Sequence, residues 1–426
     1  MSDKKLSRRD FLKAVGATAA IAAAPKVNMP FATSSRLQGT VVLKIQSFAH
    51  EALEAVMPEF SDLTGFTVEL ESGVSSGVEH LTEVTTAYAA GDSPWDVVSD
   101  ADESGPVLAR AGWLTPLDDI IPEETWADYS QGMQDTMMQG YGYDGSLYRV
   151  PHEFACGYFF YRKDLLDEMG LEVPTTWDEI IEVGTQVTDK ENNVWATLDA
   201  ISKGGLLWVY LAYLTSQTGG SIFDVDEGTI EAIQFLYDMI HTHEIFPEDA
   251  LNMNYDQQNE MYMDDRVMFM RQWPYCQAVF ESDEEWFAPE KAVITLPPGG
   301  SAGPGSWWGG WGFTLPSMAP NPEGAQELIK FITSPEIAPK LAEGQSWFIM
   351  PRTSILEAFA DKDDAIVNAM GMYADAGVIK PRPFHARAAE AQVAFEDGIA
   401  LYLTDQESLE DAVEIAKTLI AELDEE

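Results

Sequence analysis

The chain has 426 residues, of which 46% are hydrophobic and 23% charged, a composition for a folded protein too long for one ordinary core. It carries 71 acidic against 25 basic residues, a net charge of −46, and seven of the basic side chains fall within the first 36 positions. So acidic a body repels nucleic acid and anionic lipid, which makes both poor partners and points to a heavily solvated surface suited to high salt.

The first segment, "SRRDFLKAVGATAAIAAAP", places Arg8 and Arg9 before a short run of small apolar residues. It resembles a twin-arginine export signal, which implies passage through the twin-arginine translocase and a periplasmic or extracellular mature protein. Cleavage is expected after Ala24, where Pro25 is awkward, or closer to Ser34. The apolar run is too short for an ordinary membrane span. No cysteine lies near either cleavage point, so a lipid anchor on an N-terminal cysteine is not expected. Residues 1–36 are therefore read as export signal and loose N-terminus.

Beyond it, "TVVLKIQSF" alternates Val41, Leu43 and Ile45 as a strand does. "HEALEAVMPEFSDLTG" spaces Leu53, Val56, Met57 and Phe60 at helical intervals and stops at Gly65, and "FTVEL" alternates again. Strand, helix and strand in this order predict a βαβ unit and an α/β fold. "WDVVSDAD" and "KAVITLPPG" are further strand candidates. Helices are expected after Thr175 or Thr176, after Asn321 with Pro322, after Ser334 with Pro335, and after Ser408, each a capping residue before an apolar periodicity. Cys156 and Cys276 are the two cysteines, too few for a disulfide framework, and are expected as reduced, buried thiols.

Motifs of catalysis are missing from the sequence: no glycine-rich phosphate loop, no nucleophile elbow and no cysteine–histidine pairing. Acids make up about a sixth of the chain, so close carboxylate pairs carry no signal. His241 and His243 end a helical stretch, but a metal site there lacks further ligands, and no metal or cofactor is expected. What stands out is aromatic residues among turn residues: Trp273 and Tyr275 in "RQWPYC", Trp347 in "EGQSWFIMPR", and Trp307, Trp308 and Trp311 in "GPGSWWGGWGF". An indole face left bare by flanking glycines can stack on the C–H face of a sugar while acids take the hydroxyls.

Several stretches together resemble the family 1 extracellular solute-binding proteins of ABC importers, the branch with maltose- and trehalose-binding proteins. They are "TTAYAAGDSPWDVVSDADESGPVLARAGWLTPLDDII", "DGSLYRVPHEFACGYFFYRKDLLDEMGLEVPTTWDEI", "MYMDDRVMFMRQWPY", Gly309-Gly310-Trp311, "NPEGAQELIKFITSPE" and "PRT". The resemblance covers nearly all of the mature chain. It implies an α/β fold of two lobes, 37–153 plus 312–380 and 154–311 plus 381–426. Three crossings near 152–155, 310–313 and 379–385 join them, and the ligand is held in a cleft that closes by hinge motion. It implies a carbohydrate ligand, ABC permease subunits as partners, and a monomer that is not an enzyme.

Carried over by position, Trp311 matches the ligand-stacking residue, with Gly310 at the hinge and Trp308 as a second platform; Trp307 is expected in the core. Trp273 and Tyr275 match sugar-contacting aromatics, Arg382 an arginine that reaches the ligand, and Glu51 a region that supplies an acid. Trp347 joins the candidates as an aromatic among polar residues. Where sugar-binding relatives carry aspartates this chain has Ala101 and Ala155, so Asp100, Asp102 and Glu153 beside them are expected to substitute. A polyamine would also suit an acid-lined aromatic pocket, and a secreted carbohydrate-active enzyme would need two facing carboxylates with one pKa raised.

Uniform negative charge destabilises a compact state by self-repulsion, and added ions screen it. The melting temperature should therefore rise between low and molar sodium chloride. A flat or falling curve in a thermal melt would show the acids to be locally paired.

Overall fold

The computed structural model describes residues 39–425 apart from 75, 76, 103, 384 and 386, so the twin-arginine segment lies outside the described residues. The chain divides into two compact units, the first formed by residues up to 155 with 309–376, the second by 156–308 with 377–426. The backbone thus passes between units three times.

In the first unit, β1 (Gly39–Gln46), α1 (His50–Thr64) and β2 (Phe66–Gly73) form the expected βαβ unit, with β1 and β2 parallel and Val41 opposite Val68. Val41, Leu43 and Ile45 are fully buried, as the alternation predicts. Lys44 and Gln46 on the other face are buried as well, because β1 is an inner strand covered on both sides. The Lys44 side chain pairs with Glu83 at 2.8 Å and lies 4.5 Å over the Trp95 ring. Gly65 ends α1 in the left-handed region, φ +86°, a conformation glycine adopts without penalty. After α2 (Gly77–Ala89), the wholly buried β3 (Val97–Ala101) pairs parallel to β1, and the short β4 (Val150–Pro151) precedes the first crossing.

The second unit contains β5 (Tyr158–Tyr161), α3 (Trp177–Val187), β6 (Trp195–Leu198), α4 (Leu206–Thr218), β7 (Val267–Gln272), α5 (Tyr275–Ser282) and β8 (Val293–Thr295). Its sheet runs β8-β5-β7-β6, with β7 parallel to β6 and antiparallel to β5. Thr176 caps α3 by accepting the Glu179 N–H, while the Glu179 carboxylate accepts from Thr175. The chain then runs through β9 (Ser306–Gly309), whose last residue already belongs to the first unit.

Back in the first unit, β10 (Trp311–Thr314) inserts antiparallel between β3 and β4, completing the order β2-β1-β3-β10-β4. Asn321 caps α6 (Pro322–Ile332) as expected. The following helix, α7 (Ala338–Gly344), starts later than Ser334-Pro335 predicts, because Ser334 caps only a turn by accepting the Ile337 N–H. The third passage leads to β11 (Ile379–Pro381), α8 (Ala388–Leu403) and α9 (Leu409–Glu425), the last capped by Ser408.

The unit boundaries differ from the sequence reading by a few residues, and pairing explains why. Residues 309–311 belong to the first unit, since β10 pairs with β3 from its first residue, Trp311. Residues 377–380 belong to the second, since β11 pairs with β9 from Ile379 opposite Ser306.

Cys156 and Cys276 are free and fully buried. The Cys156 thiol lies 3.6 Å from the Ser306 hydroxyl, and burial pushes it up to about 12. Neither thiol should react with iodoacetamide in the folded protein, and both should after denaturation without reductant. Intact mass showing two added labels is expected; no label after denaturation would establish a bridge.

Candidate functional site

The strand order places the start of β10 beside the end of β3, and that junction gathers most of the acids and aromatics singled out in the first unit. Trp311 stands opposite Ala101, and Gly312 opposite Asp100. All four backbone polar groups of Gly310 and Trp311 are engaged. The Gly310 N–H donates to the Asp102 carboxylate at 2.6 Å, and its carbonyl accepts from the Arg149 guanidinium at 3.1 Å. The Trp311 N–H donates to Glu153 at 3.2 Å, and its carbonyl accepts from the His152 N–H at 3.1 Å.

Arg149 is fully buried, ion-paired with Asp102, and also donates to the Asp100 carbonyl at 2.9 Å. The Asp100 carboxylate meets His80 Nε2 at 2.6 Å and accepts from Thr314 Oγ1 at 2.5 Å. The Trp311 ring, half-buried, meets the His80 ring edge-on at 5.2 Å and 77°.

Gly310 sits at φ +150°, and a Cβ there would lie 2.6 Å from the Glu153 carbonyl oxygen. At Gly312 a Cβ would lie 2.7 Å from the Val150 carbonyl oxygen. The sequence reading ascribes the bare backbone around Trp311 to a bend and an approaching ligand. At these two positions the approaching groups belong to the chain itself.

Asp100, Asp102 and Glu153, expected to read ligand hydroxyls, are instead buried and bonded to backbone and side chains of their own unit. Trp347 is buried in the same unit, with its ring 4.9 Å from Phe48 and 4.6 Å from His152. Glu51 is apart from this group, exposed in the first turn of α1.

The second unit holds a separate aromatic group. Trp307 is buried, as expected, edge-on to Trp208 at 5.8 Å and to Trp273 at 5.3 Å. The Arg382 guanidinium lies 5.1 Å from both the Trp208 and Trp307 rings. Trp273 is half-buried, with the Arg271 guanidinium 4.6 Å over its ring; Arg271 is itself gripped through two bonds by the buried Asp199. Tyr275 is buried, its hydroxyl accepting from Asn259 at 3.1 Å. Trp308 is half-buried. A depression of about 570 Å³ in this unit is walled by Thr215, Gly219, Phe223, Trp307, Lys380 and His385 among others.

At the start of α4, the buried Glu396 of α8 accepts the backbone N–H groups of Gly204, Gly205 and Trp208 at 2.7–3.0 Å. This caps the helix that carries Trp208. Among the described residues no set of three potential metal-binding side chains is assembled, and no helix is long and apolar enough to cross a membrane.

Sequence reasoning missed Arg149, His80, Arg271 and Glu396. A usable signal existed for the arginines: cations are scarce here, and Arg149 sits within the apolar "LYRVP", where a charge must find a partner.

With this geometry established, the comparisons with known proteins are decisive on kinship. The family described as bacterial extracellular solute-binding protein matches residues 49–339. The chain belongs to that family. A twin-arginine translocation signal matches residues 5–25, so the protein is exported, to the periplasm or beyond.

A "Probable ABC transporter-binding protein" of Deinococcus radiodurans is 25% identical over 232 residues, 51% of this chain and 54% of the relative. An "Arabinooligosaccharide-binding protein" of Halalkalibacterium halodurans is 28% identical over 134 residues, 29% of each chain. The chain thus spans about half or less of the length of these relatives. A solved ABC transporter solute-binding protein of Thermotoga lettingae, bound with α-D-tagatose, superposes with a TM-score of 0.80 at 21% identity, over 90% of this chain and 99% of that one. This shows the two-lobed binding-protein fold. The family is one of binding proteins rather than enzymes.

Burial holds the Glu153 carboxyl well above the usual carboxylate range, outweighing the Trp311 N–H and Arg149, which favour the charged form. The folded protein then keeps this proton at pH values where the unfolded chain, with an ordinary value of 4.5, has released it. Its stabilising effect is complete below that value and declines as pH rises. Glu153→Gln keeps an acceptor for the Trp311 N–H and cannot ionise. Its melting temperature relative to wild type should increase from about pH 5 to pH 8; a pH-independent difference would contradict the assignment.

Proposed function

We propose that this exported protein captures a carbohydrate and delivers it to the permease subunits of an ABC importer. The observation that carries this reading is the Trp311 ring, half-buried on a backbone whose every polar group is already bonded. Such a ring is a rigid apolar face of the kind that stacks on a pyranose. Support comes from the tagatose bound by the structural neighbour and the arabinooligosaccharide in the name of the sequence relative.

In this reading Trp311, Trp273 and Trp308 supply the aromatic faces that hold the solute. Arg382, lying against Trp208 and Trp307, supplies hydrogen-bond donors or holds those rings. The family is one of binding proteins, and Asp100, Asp102 and Glu153 are already engaged by backbone and side chains of their own unit. The same bonding disfavours a polyamine, which needs carboxylates available to it.

A thermal-shift screen should find a ligand among maltotriose, lactose, arabinotriose, tagatose and polyols, with the melting temperature rising with concentration by mass action. A response to spermidine alone would overturn the sugar assignment. For the sugar so found, Trp311→Ala should weaken binding by about 2 kcal/mol or more, as for aromatic hot spots, with the fold retained. Unchanged affinity in calorimetry would remove Trp311 from the site.

A further inference from the structure

We propose that Arg149, through Asp102 and together with Glu153, is a positioning residue that fixes the Trp311 ring before any solute arrives. The proposal rests on the reading of Trp311 as the solute-stacking platform, and it gives the buried charges of the first unit a task in binding without contact to the ligand.

The residue Gly310 is enclosed by a closed circuit of bonds. Its carbonyl accepts from the Arg149 guanidinium, its N–H donates to Asp102, and Asp102 is ion-paired to the same guanidinium. A second nitrogen-to-carbonyl bond ties Arg149 to Asp100 at the end of β3. The two peptides that flank Trp311 are held as well, with the Trp311 N–H on Glu153 and the Trp311 carbonyl on the His152 N–H. With both flanking peptides fixed and Gly310 pressed against the Glu153 carbonyl, the Cα–Cβ direction of Trp311 has no freedom. The ring is then set by His80, whose Nε2 is held by Asp100. One residue, Asp100, thereby anchors the backbone through its carbonyl and the ring through its carboxylate.

A merely cohesive ion pair would need none of this convergence on one dipeptide. Fixing the ring in advance removes the ordering cost that solute binding would otherwise bear. The guanidinium is required because its fork reaches two carbonyls and a carboxylate at once, whereas an ammonium is a single point charge.

The test labels the protein with 5-fluorotryptophan and records fluorine NMR. The twelve tryptophans give resolved signals, and Trp311 is assigned by the one lost in Trp311→Phe. Arg149→Lys keeps the charge beside Asp102 but cannot span the same acceptors. The Trp311 signal should shift and broaden at least twofold while those of Trp208, Trp273 and Trp307 in the second unit stay in place. Glu153→Ala should move the Trp311 signal too, and Glu153→Gln should restore it, so a decisive pair remains if Arg149→Lys does not fold.

A Trp311 signal unmoved in Arg149→Lys and Glu153→Ala overturns the proposal. So does a general shift of all the tryptophans, which would make the role structural only. The readout needs no ligand. A sugar screen that finds nothing would count against the carbohydrate reading alone, and an unmoved ring would count against the positioning role alone.

Discussion

The buried guanidinium of Arg149 is the point on which the first unit's candidate site depends. Two remote stretches of chain meet there: the end of β3 with the turn after it, through the Asp100 carbonyl and Asp102, and the residue before β10, through the Gly310 carbonyl. A buried charge with a missing partner costs about 3–5 kcal/mol, so each stretch is held to its place by the other. β10 lies between β3 and β4 because its first residues are fastened at this knot, and the position of Trp311 follows.

The same economy of cations runs through the whole chain. Lys44, Arg149, Arg162, Arg271 and Arg352 are each at most 3% exposed, and each has an acid as partner. These are scarce residues in a sequence with 25 basic side chains, seven of them in the first 36 positions. Placing cations inside leaves the surplus of carboxylates outside, where water and counterions solvate them. The acidity of the surface and the charged interior therefore have one origin. Acids near the candidate site are as a result not free by default: Asp100, Asp102 and Asp199 serve the interior cations and their neighbours.

Local order was readable in the sequence where a local cause fixes it. The βαβ unit follows from alternation and helical spacing around Gly65, and the starts of α3, α6 and α9 follow from Thr176, Asn321 and Ser408, whose side chains reach backbone three residues on. Ser334 obeys the same rule but closes only a turn, since Pro335 and the residues after it delay the helix to Ala338. Burial set by distant pairing was not readable. Tyr275 and Trp347 look like surface aromatics in their sequence neighbourhoods, yet Asn259 and His152 reach them from remote segments. The acids at 100, 102 and 153 were read as ligand contacts; their bonds to Gly310, Trp311 and Thr314 depend on the register of β10, which no local pattern shows. No local pattern marks Glu396, whose three backbone donors lie almost two hundred residues away.

The stretch from Gly303 to Phe313 shows how one run of tryptophans is distributed between jobs. Within β9 successive side chains point to opposite faces, which sends Trp307 into the core of the second unit against Trp208 and Trp273, and leaves Trp308 half-buried on the other face. The chain changes unit immediately after Trp308. Gly310 then adopts a conformation closed to other residues, because Glu153 occupies the space a Cβ would need. Trp311 follows as the first residue of a strand in the other unit. The glycines are thus the condition for carrying aromatic rings on both sides of a crossing: a side chain at 310 would collide with Glu153, whose carboxylate holds the Trp311 N–H.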